Sequence, residues 1–253
     1  MIQQFIRTLA AVTVLTLTQP VFAMVGGGGA PSPAVANAVV TIVGSRGSSC
    51  TGTLIARDIV LTAAHCIAPG VTTKLVDYKS QPPRLLDIRR TATHTQFNMQ
   101  SLLAHRATAD VALLQLASPL SASPATLGGA LMPITAGQRL TVVGMGVAIA
   151  GDGRSGGVAR AASLSVTGRP GTLQIRLVDP STNNARAGLG ACTGDSGAPA
   201  FLDSSGGPVI AGVVSWSTGA NNAAGCGGLT GVTPLALYRD WILKTARSWG
   251  AGI

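Results

Sequence analysis

The sequence predicts an all-β protein that carries a helix near its C-terminal end. The chain of 253 residues contains 33 glycines and no glutamate, and only 11% of its residues are charged. A helical bundle or coiled coil would need long charged side chains at helical spacing, so this composition argues against both. Short alternating or β-branched segments recur instead between glycine, proline and serine, which is typical of β-barrels or of a β-sandwich.

Ten segments have strand-like patterns of apolar and β-branched residues. They span residues 39–45, 50–56, 59–63, 85–91, 111–116, 139–145, 161–167, 172–178, 198–202 and 209–216. Turn-forming residues separate most of them at short intervals, as in all-β folds. Residues 117–133 (ASPLSASPATLGGALMP) are rich in proline, serine, alanine and glycine. We therefore expect this stretch to connect two β halves.

Residues 1–23 have the organisation of a secretory signal peptide. Arg7 supplies a positive charge, residues 9–17 (LAAVTVLTL) form a short apolar core, and Val21-Phe22-Ala23 resembles a cleavage site. Cleavage after Ala23 would leave a mature chain that begins at Met24. No later apolar run reaches the ~18 residues that a spanning helix needs. We therefore expect a secreted or periplasmic protein without a membrane span.

The C-terminal helix is predicted from a capping pattern and an apolar stripe. Thr233 is suited to cap a helix and Pro234 to occupy its first position, so we expect the helix within residues 234–253. Five side chains then fall on one face at helical spacing: Tyr238, Trp241, Ile242, Thr245 and Trp249. Such a stripe is expected to pack on the β body rather than to form a binding cluster.

The four cysteines favour two disulfides in an exported protein. They are Cys50, Cys66, Cys192 and Cys226, and their spacing alone leaves all three pairings open. They form no C-x-x-C pair, and the adjacent His65 does not complete a ligand set, so we expect no metal and no cofactor. The net charge of +9 is spread along the chain and aromatic residues make up only 4% of it. A nucleic-acid surface is therefore not expected either.

Three short segments contain the residue types that acyl transfer requires. They are residues 62–66 (TAAHC), 109–114 (ADVALL) and 194–199 (GDSGAP). A serine hydroxyl is a poor nucleophile unless a base takes its proton, and neutral histidine serves that purpose near pH 7. A buried carboxylate can hold the imidazole in one tautomer and stabilise the imidazolium that forms. We therefore interpret Ser196 as nucleophile, His65 as base and Asp110 as the residue that orients His65.

Glycines flank the candidate nucleophile. Gly194 and Gly197 permit a tight turn that lifts the Ser196 side chain and lets a substrate carbonyl approach the main chain. The amides of Gly194 and Ser196 are then suited to hold an oxyanion. Each segment alone also fits a surface turn, a core histidine or a capping aspartate. The combination of types, their order and the cysteine beside His65 favour catalysis.

These segments resemble the signatures of the trypsin/chymotrypsin-like serine proteases. Residues 62–66 match T/S-A-A-H-C, residues 110–116 (DVALLQL) match D-I-A-L-L-x-L, residues 194–199 match G-D-S-G-G/A-P and residues 214–216 match V-S-W. The resemblance extends from Met24 to the C-terminal helix. It implies a monomeric serine endopeptidase that acts on proteins or peptides. It also implies two antiparallel six-stranded β-barrels, formed by residues 24–125 and 126–233.

The family pattern further implies specific pairings. It pairs Cys50 with Cys66 and Cys192 with Cys226, and it implies a hydrogen bond from Ser215 to Asp110. The predicted mature start Met24-Val25-Gly26-Gly27 resembles the family's I-V-G-G. This resemblance implies that signal cleavage frees an α-amino group at Met24 and that this group pairs with Asp195.

Six residues are expected to contact the substrate by the same alignment: Gly190, Ala191, Ser215, Trp216, Ser217 and Gly231. Gly190 stands six residues before Ser196, where the family sets its primary specificity, and it offers no carboxylate to a Lys or Arg side chain. We therefore expect a neutral, open pocket and cleavage after apolar residues. Two departures concern this region. Residues 217–225 (STGANNAAG) form a longer segment than usual, and Gly144-Met145-Gly146 stands where the family has G-W-G.

Other interpretations of the sequence are weaker. A non-catalytic protease-fold binding module would share these motifs, but all three catalytic residue types are present. An esterase of the α/β-hydrolase type needs G-x-S-x-G and the chain order serine, acid, histidine, and neither is met. His94 lies in a polar stretch, and His105 stands five residues before Asp110 without the sequence context of His65. Neither is expected to be catalytic.

Overall fold

The computed structural model describes residues 24–104, 106–130 and 133–253. The predicted signal peptide (residues 1–23) and His105 lie outside the described residues. The described residues form thirteen β-strands and three α-helices. Two of the helices are short, α1 (Pro33–Ala38) and α2 (Met99–Leu103), and the third lies at the C-terminal end.

The first six strands close into an antiparallel barrel. They are β1 (Val39–Gly44), β2 (Ser49–Ala56), β3 (Ile59–Thr62), β4 (Thr73–Asp77), β5 (Arg84–Thr93) and β6 (Ala112–Leu116). Their order around the barrel is β1-β2-β3-β6-β5-β4. Alternation along each strand turns one set of side chains inward. Ile42, Leu54 and Leu114 belong to this buried interior.

The second barrel is formed by the second half of the chain. Its strands are β8 (Arg139–Gly144), β9 (Arg160–Thr167), β10 (Ile175–Val178), β11 (Pro199–Leu202), β12 (Val209–Ser217) and β13 (Leu229–Pro234). They follow the order β11-β8-β9-β10-β13-β12, and an antiparallel pairing of β11 with β12 closes the ring. The short β7 (Thr126–Leu127) lies parallel to β12. The prediction of two antiparallel six-stranded barrels is therefore confirmed.

A third apolar core joins the two barrels to the C-terminal helix α3 (Arg239–Ser248). Leu61 and Leu113 contribute from the first barrel, Val213 from the second and Ile242 from α3. All four side chains are fully buried. Removal of apolar surface from water stabilises this arrangement by ~25 cal/mol per Å². The shared core holds the barrels in one relative position, which is what a site built from both of them requires.

The aromatic stripe of α3 packs on the β body, as predicted. Tyr238 and Ile242 are buried in the shared core, and Trp241 and Trp249 pack against it. The ring of His94 meets Tyr238 and Trp241 edge to face, with centroid distances of 5.0 and 5.1 Å. His94 therefore has a packing role.

The predicted start of the helix is wrong. Thr233 and Pro234 are the last residues of β13, and they pair with Val213 and Gly212 of β12. The helix begins at Arg239, five residues later. A Thr-Pro pair fits a strand end as well as a helix start, because proline is tolerated where its missing N–H is not needed. Pairing with β12, which lies far away in the sequence, decides between the two.

The ten predicted strands agree with ten of the strands found, apart from small differences at their ends. The patterns did not reveal β4, β7 and β13. Residues 73–77 (TKLVD) and 229–234 (LTGVTP) contain charged or turn-forming residues that conceal a strand. Both become strands because neighbouring strands supply hydrogen-bonding partners.

The N-terminal residues lie along the second barrel, although the sequence assigned them to the first. Antiparallel bridges join Val25 to Gly190 and Gly29 to Ala161. Met24 is fully buried in the interior of the second barrel. The chain joins the second sheet again at β7, and the exact boundary between residues 125 and 126 stays a prediction. Among the described residues, no helix has the length and apolar character needed to cross a membrane.

Candidate active site

The ends of two paired strands bring His65 and Asp110 together. Thr62, the last residue of β3, pairs with Ala112, the first residue of β6. His65 follows β3 in a short 3₁₀ helix over Ala64–Cys66, and Asp110 stands two residues before β6. The antiparallel ladder therefore places both residues at the same end of the first barrel.

Both oxygens of the Asp110 carboxylate are engaged. Oδ2 lies 2.8 Å from His65 Nδ1, and Oδ1 accepts the main-chain N–H of His65 at 2.9 Å. Ser215 Oγ of the second barrel donates to Oδ2 at 2.5 Å. Asp110 has no exposed surface, whereas the His65 side chain is 18% exposed. A carboxylate at Nδ1 assigns the proton to that nitrogen and leaves Nε2 as the acceptor.

The loop that contains Ser196 is fixed against the first barrel through its main chain. The Ser196 carbonyl oxygen accepts the N–H of Thr51 at 2.7 Å and lies 3.7 Å from Cys66 Sγ. Gly197 has a φ of +80°, and a Cβ there would lie 2.1 Å from Thr62 Oγ1. Only glycine permits this approach of the loop to the segment that precedes His65.

The hydrogen bonds of the described residues do not include one between Ser196 Oγ and the His65 ring. Catalytic hydrogen bonds are often long without substrate and tighten in the complex. Among the described residues, the amides of Gly194 and Ser196 donate no hydrogen bond. The amide between them, Asp195 N, donates to the Cys192 carbonyl oxygen at 3.0 Å. Two donors are therefore left available beside the Ser196 side chain.

The carboxylate of Asp195 is fully buried beneath this loop. It accepts the N–H of Gly146 and of Cys192, both at 2.9 Å. Burial raises the pKa of the Asp195 carboxyl to about 7, although these hydrogen bonds and the charge of Arg160 oppose the shift. A Cβ at Gly144 would lie 1.9 Å from Asp195 Oδ1. The glycines of the Gly144-Met145-Gly146 segment therefore make the space that Asp195 occupies.

The two predicted disulfides are confirmed, Cys50–Cys66 and Cys192–Cys226. The ligand atoms of Cys50, His65 and Cys66 lie within 4.8 Å of one another. Both sulfurs are consumed by the disulfide, and a metal requires the free thiolate. This cluster is therefore not a metal site.

The residues expected to form the substrate pocket are neutral. Gly190 and Ala191 are buried, and Ala191 N donates to Thr230 Oγ1 at 3.0 Å. The indole of Trp216 covers Gly231, because a Cβ at Gly231 would lie 2.1 Å from Trp216 Cε2. Ser217 is half-buried at the end of β12. The indole therefore packs directly beside Gly231, and the openness of the substrate pocket stays a prediction.

The sequence motifs did not single out Thr51, which contacts the segments around Ser196 and Asp195. Its contacts are with the main chain of Gly194, Ser196 and Met145. In the sequence, the glycines at 144 and 146 mark only a departure from a family pattern. Their role next to Asp195 depends on contacts between segments about 50 residues apart, which no local pattern reports.

Two closed β-barrels with an imidazole, a carboxylate and a hydroxyl at their junction define a chymotrypsin-like fold. A family model described as Trypsin matches residues 25–242 of the chain. The chain belongs to the trypsin family, and it is a serine endopeptidase.

Individual relatives agree with this assignment. A protein named Trypsin from Phaedon cochleariae is 31% identical over 217 residues, which cover 76% of this chain and 77% of that protein. Kallikrein-11 from Homo sapiens is 28% identical over 79% of this chain and 72% of its own length. Kallikrein-8 from Homo sapiens is 28% identical over 79% of this chain and 78% of its own length.

Proposed function

We propose that this protein is a secreted serine endopeptidase whose catalytic triad is Ser196, His65 and Asp110. Ser196 Oγ attacks the scissile carbonyl carbon while its proton passes to His65 Nε2. The tetrahedral intermediate collapses as the C–N bond breaks, and His65 gives the proton to the leaving amine. Water then hydrolyses the acyl-enzyme by the same proton transfers, which releases the acid and restores Ser196.

The contact between His65 and Asp110 carries this proposal. The carboxylate binds the histidine through its ring and through its main-chain N–H, at 2.8 and 2.9 Å. Such a double contact restrains both the tautomer and the rotation of the imidazole. The hydrogen bond from Ser215 holds the carboxylate from the other barrel. The assembly supplies an oriented base, as general-base catalysis by a triad requires.

The oxyanion is assigned to the amides of Gly194 and Ser196. Both donors are without hydrogen-bond partners in the described residues, and they belong to the loop that carries the nucleophile. Each donor of this kind is worth roughly 3–4 kcal/mol in the transition state. The φ of +93° at Gly194 supports this assignment, because it turns the main chain sharply at the proposed donor.

We infer cleavage after apolar residues from the composition of the substrate pocket. Gly190, Ala191 and Gly231 carry no charge, and the indole of Trp216 adds an apolar wall. A Lys or Arg side chain would bury a charge without a partner there, which is costly.

We also infer that removal of residues 1–23 by signal cleavage completes the active site. The buried Asp195 carboxylate is a suitable partner for a new α-amino group at Met24, because a buried charge is stable only when it is paired. Val25 already lies beside Gly190, five residues before Asp195. Addition of one residue before Met24 in the mature protein should therefore abolish turnover, and unchanged turnover would contradict this part of the proposal.

A fluorophosphonate label and a peptide-library digest test the proposal together. We expect the mature protein to be labelled on Ser196 and to cleave after apolar residues. The matched control is Ser196→Ala, which should lose both properties. A protein that folds and binds peptides but is neither labelled nor active would instead be a binding module. A strong preference for cleavage after Arg or Lys would overturn the specificity inference.

A further inference from the structure

One residue of the first barrel contacts the main chain of the Ser196 loop at several points. Thr51 lies on β2 directly after Cys50 and has no exposed surface. Its hydroxyl donates to the Gly194 carbonyl oxygen at 2.7 Å and accepts the N–H of Met145 at 3.0 Å. Its own N–H donates to the Ser196 carbonyl oxygen at 2.7 Å. Thr51 therefore connects the first barrel to two separate segments of the second.

The two carbonyl groups that Thr51 binds flank one of the proposed oxyanion donors. The Gly194 carbonyl belongs to the peptide unit that leads to Asp195, and the Ser196 carbonyl to the unit that leads to Gly197. The peptide unit between them carries the Ser196 N–H. Because peptide units are planar, fixing both neighbours restrains the direction of that N–H.

The loop needs such a restraint from outside. Gly194 has a φ of +93° and Gly197 a φ of +80°, and glycine has more conformational freedom than any other residue. A loop with glycines on both sides of Asp195-Ser196 does not hold its amides in one direction by itself. The hydrogen bonds from Thr51 supply part of the missing constraint.

The Thr51 hydroxyl also connects to the segment that holds Asp195. Met145, whose N–H it accepts, is followed by Gly146, whose N–H binds the Asp195 carboxylate at 2.9 Å. A hydroxyl donates one hydrogen bond, which the Gly194 carbonyl oxygen accepts here. The hydroxyl oxygen also accepts a hydrogen bond from the Met145 N–H. One side chain thus links Gly194 of the Ser196 loop to the segment that holds Asp195, and solvent cannot replace it because the residue is fully buried.

A second threonine on the same strand provides a contrast. Thr53 is also without exposed surface, and its side chain points to the same face of β2 as that of Thr51 because the two are two residues apart. Over the described residues, the Thr53 hydroxyl has no hydrogen-bond partner. A buried threonine on β2 is therefore not in itself tied to the active site, and the contacts of Thr51 are particular to its position.

We propose that Thr51 is a positioning residue for the oxyanion donor Ser196 N–H, acting through its hydroxyl on the Gly194 carbonyl and through its main-chain N–H on the Ser196 carbonyl. This inference rests on the proposed function, since it assigns a role within that catalytic site. It predicts that the Thr51 hydroxyl contributes to transition-state binding and little to substrate binding.

The decisive variant is Thr51→Val, which replaces the hydroxyl by a methyl group of similar size. With a peptide amide chosen from the library digest, we expect kcat to fall about tenfold to a hundredfold, the scale of a small misplacement of catalytic groups. KM should stay within about threefold, because substrate contacts are retained. The rate of fluorophosphonate labelling should fall in parallel with kcat, since the phosphoryl oxygen occupies the oxyanion position.

Two further variants separate positioning from a general effect on the fold. Thr53→Val makes the same chemical change at an equally buried site on the same strand, and it should leave kcat, KM and the labelling rate unchanged. Thr51→Ser keeps the hydroxyl and should restore most of the lost rate. If Thr51→Val does not fold, Thr51→Ala removes the same hydroxyl without adding a methyl group. Melting temperatures identify a temperature at which every variant is folded.

The outcomes distinguish this inference from the proposed function. Equal labelling rates for Thr51→Val and Thr53→Val, with Ser196→Ala unlabelled, would overturn the positioning role alone. A rise in KM with unchanged kcat would also overturn it, because it would indicate a substrate contact. If Ser196→Ala were labelled as rapidly as the unmodified protein, the proposed function itself would fail.

Discussion

The buried carboxylate of Asp195 should make the stability of the unprocessed chain depend on pH. Burial raises the pKa of this carboxyl to about 7, whereas the ordinary value is 3.8. The folded chain therefore retains a proton that the unfolded chain has already released at intermediate pH. The stabilisation that the protonated Asp195 carboxyl contributes is fully present below about pH 4 and is lost as the pH rises through about 7.

The size of this effect follows from the two pKa values. They differ by about three, and each pKa unit corresponds to ~1.36 kcal/mol. The free energy of unfolding should therefore fall by about 4 kcal/mol between pH 4 and pH 8 on account of Asp195 alone. Since a domain is commonly stable by only about 5–15 kcal/mol, such a loss is large.

Urea unfolding of two variants isolates this contribution. Both retain the residues before Met24 and carry Ser196→Ala to prevent autolysis, and one of them also carries Asp195→Asn. The amide cannot ionise, so the difference in unfolding free energy between the two should change by about 4 kcal/mol from pH 4 to pH 8. A chain that begins at Met24 should show a smaller change, because its α-amino group can pair with Asp195.

The carboxyl of Asp179 should make the free energy of unfolding depend on pH in the opposite direction. Burial tends to raise the pKa of its carboxyl, but hydrogen bonds from the Leu189 amide and from the amide and hydroxyl of Ser181 outweigh it and lower that pKa. Its contribution to stability should therefore be lost as the pH falls. The reasoning would be refuted if the unfolding free energy of the chain with Asp195, relative to that of the Asp195→Asn variant, stayed constant across pH or rose with rising pH.

Three further changes test the packing around the site. Gly144→Ala places a methyl group against Asp195 and should destabilise the protein by at least about 1–3 kcal/mol. In the control Gly153→Ala the new methyl group has no atom within 4 Å, so no destabilisation is expected. Thermal melting of the two variants tests the difference. Replacing both Cys50 and Cys66 by alanine removes their disulfide and should cost about 2–4 kcal/mol in urea unfolding. Ile242→Ala removes a fully buried side chain of α3 and should cost about 2–5 kcal/mol, while Leu237→Ala, at an exposed position, should change the melting temperature little.

Much of the candidate site could be predicted from the sequence because its segments are short and chemically distinctive. Residues 62–66, 110–116 and 194–199 each join a reactive side chain to the strand or turn that presents it. The disulfides followed from the family pattern and not from spacing, which left three pairings open. The ten strands were visible because apolar alternation reports the face that each strand buries.

The rest could not be predicted because it depends on partners that are distant in the sequence. The Thr-Pro pair at the end of β13 has the local pattern of a helix start, and only its ladder with β12 makes it a strand. The indole over Gly231 and the hydroxyl of Thr51 against Gly194 are likewise contacts between different segments. Local propensity contains no information about such contacts.

The amino-acid sequence by itself determined which chemistry is available, namely one hydroxyl, one imidazole and one carboxylate in segments that favour β structure. Tertiary structure decided how these groups meet. The antiparallel ladder between β3 and β6 joins His65 to Asp110, and the contact of two barrels brings Ser215 and the Ser196 loop to them. The physical reason is that hydrogen-bonded ladders and a shared apolar core act over long stretches of chain, so the geometry of a site shared by two barrels exists only once both are closed and packed.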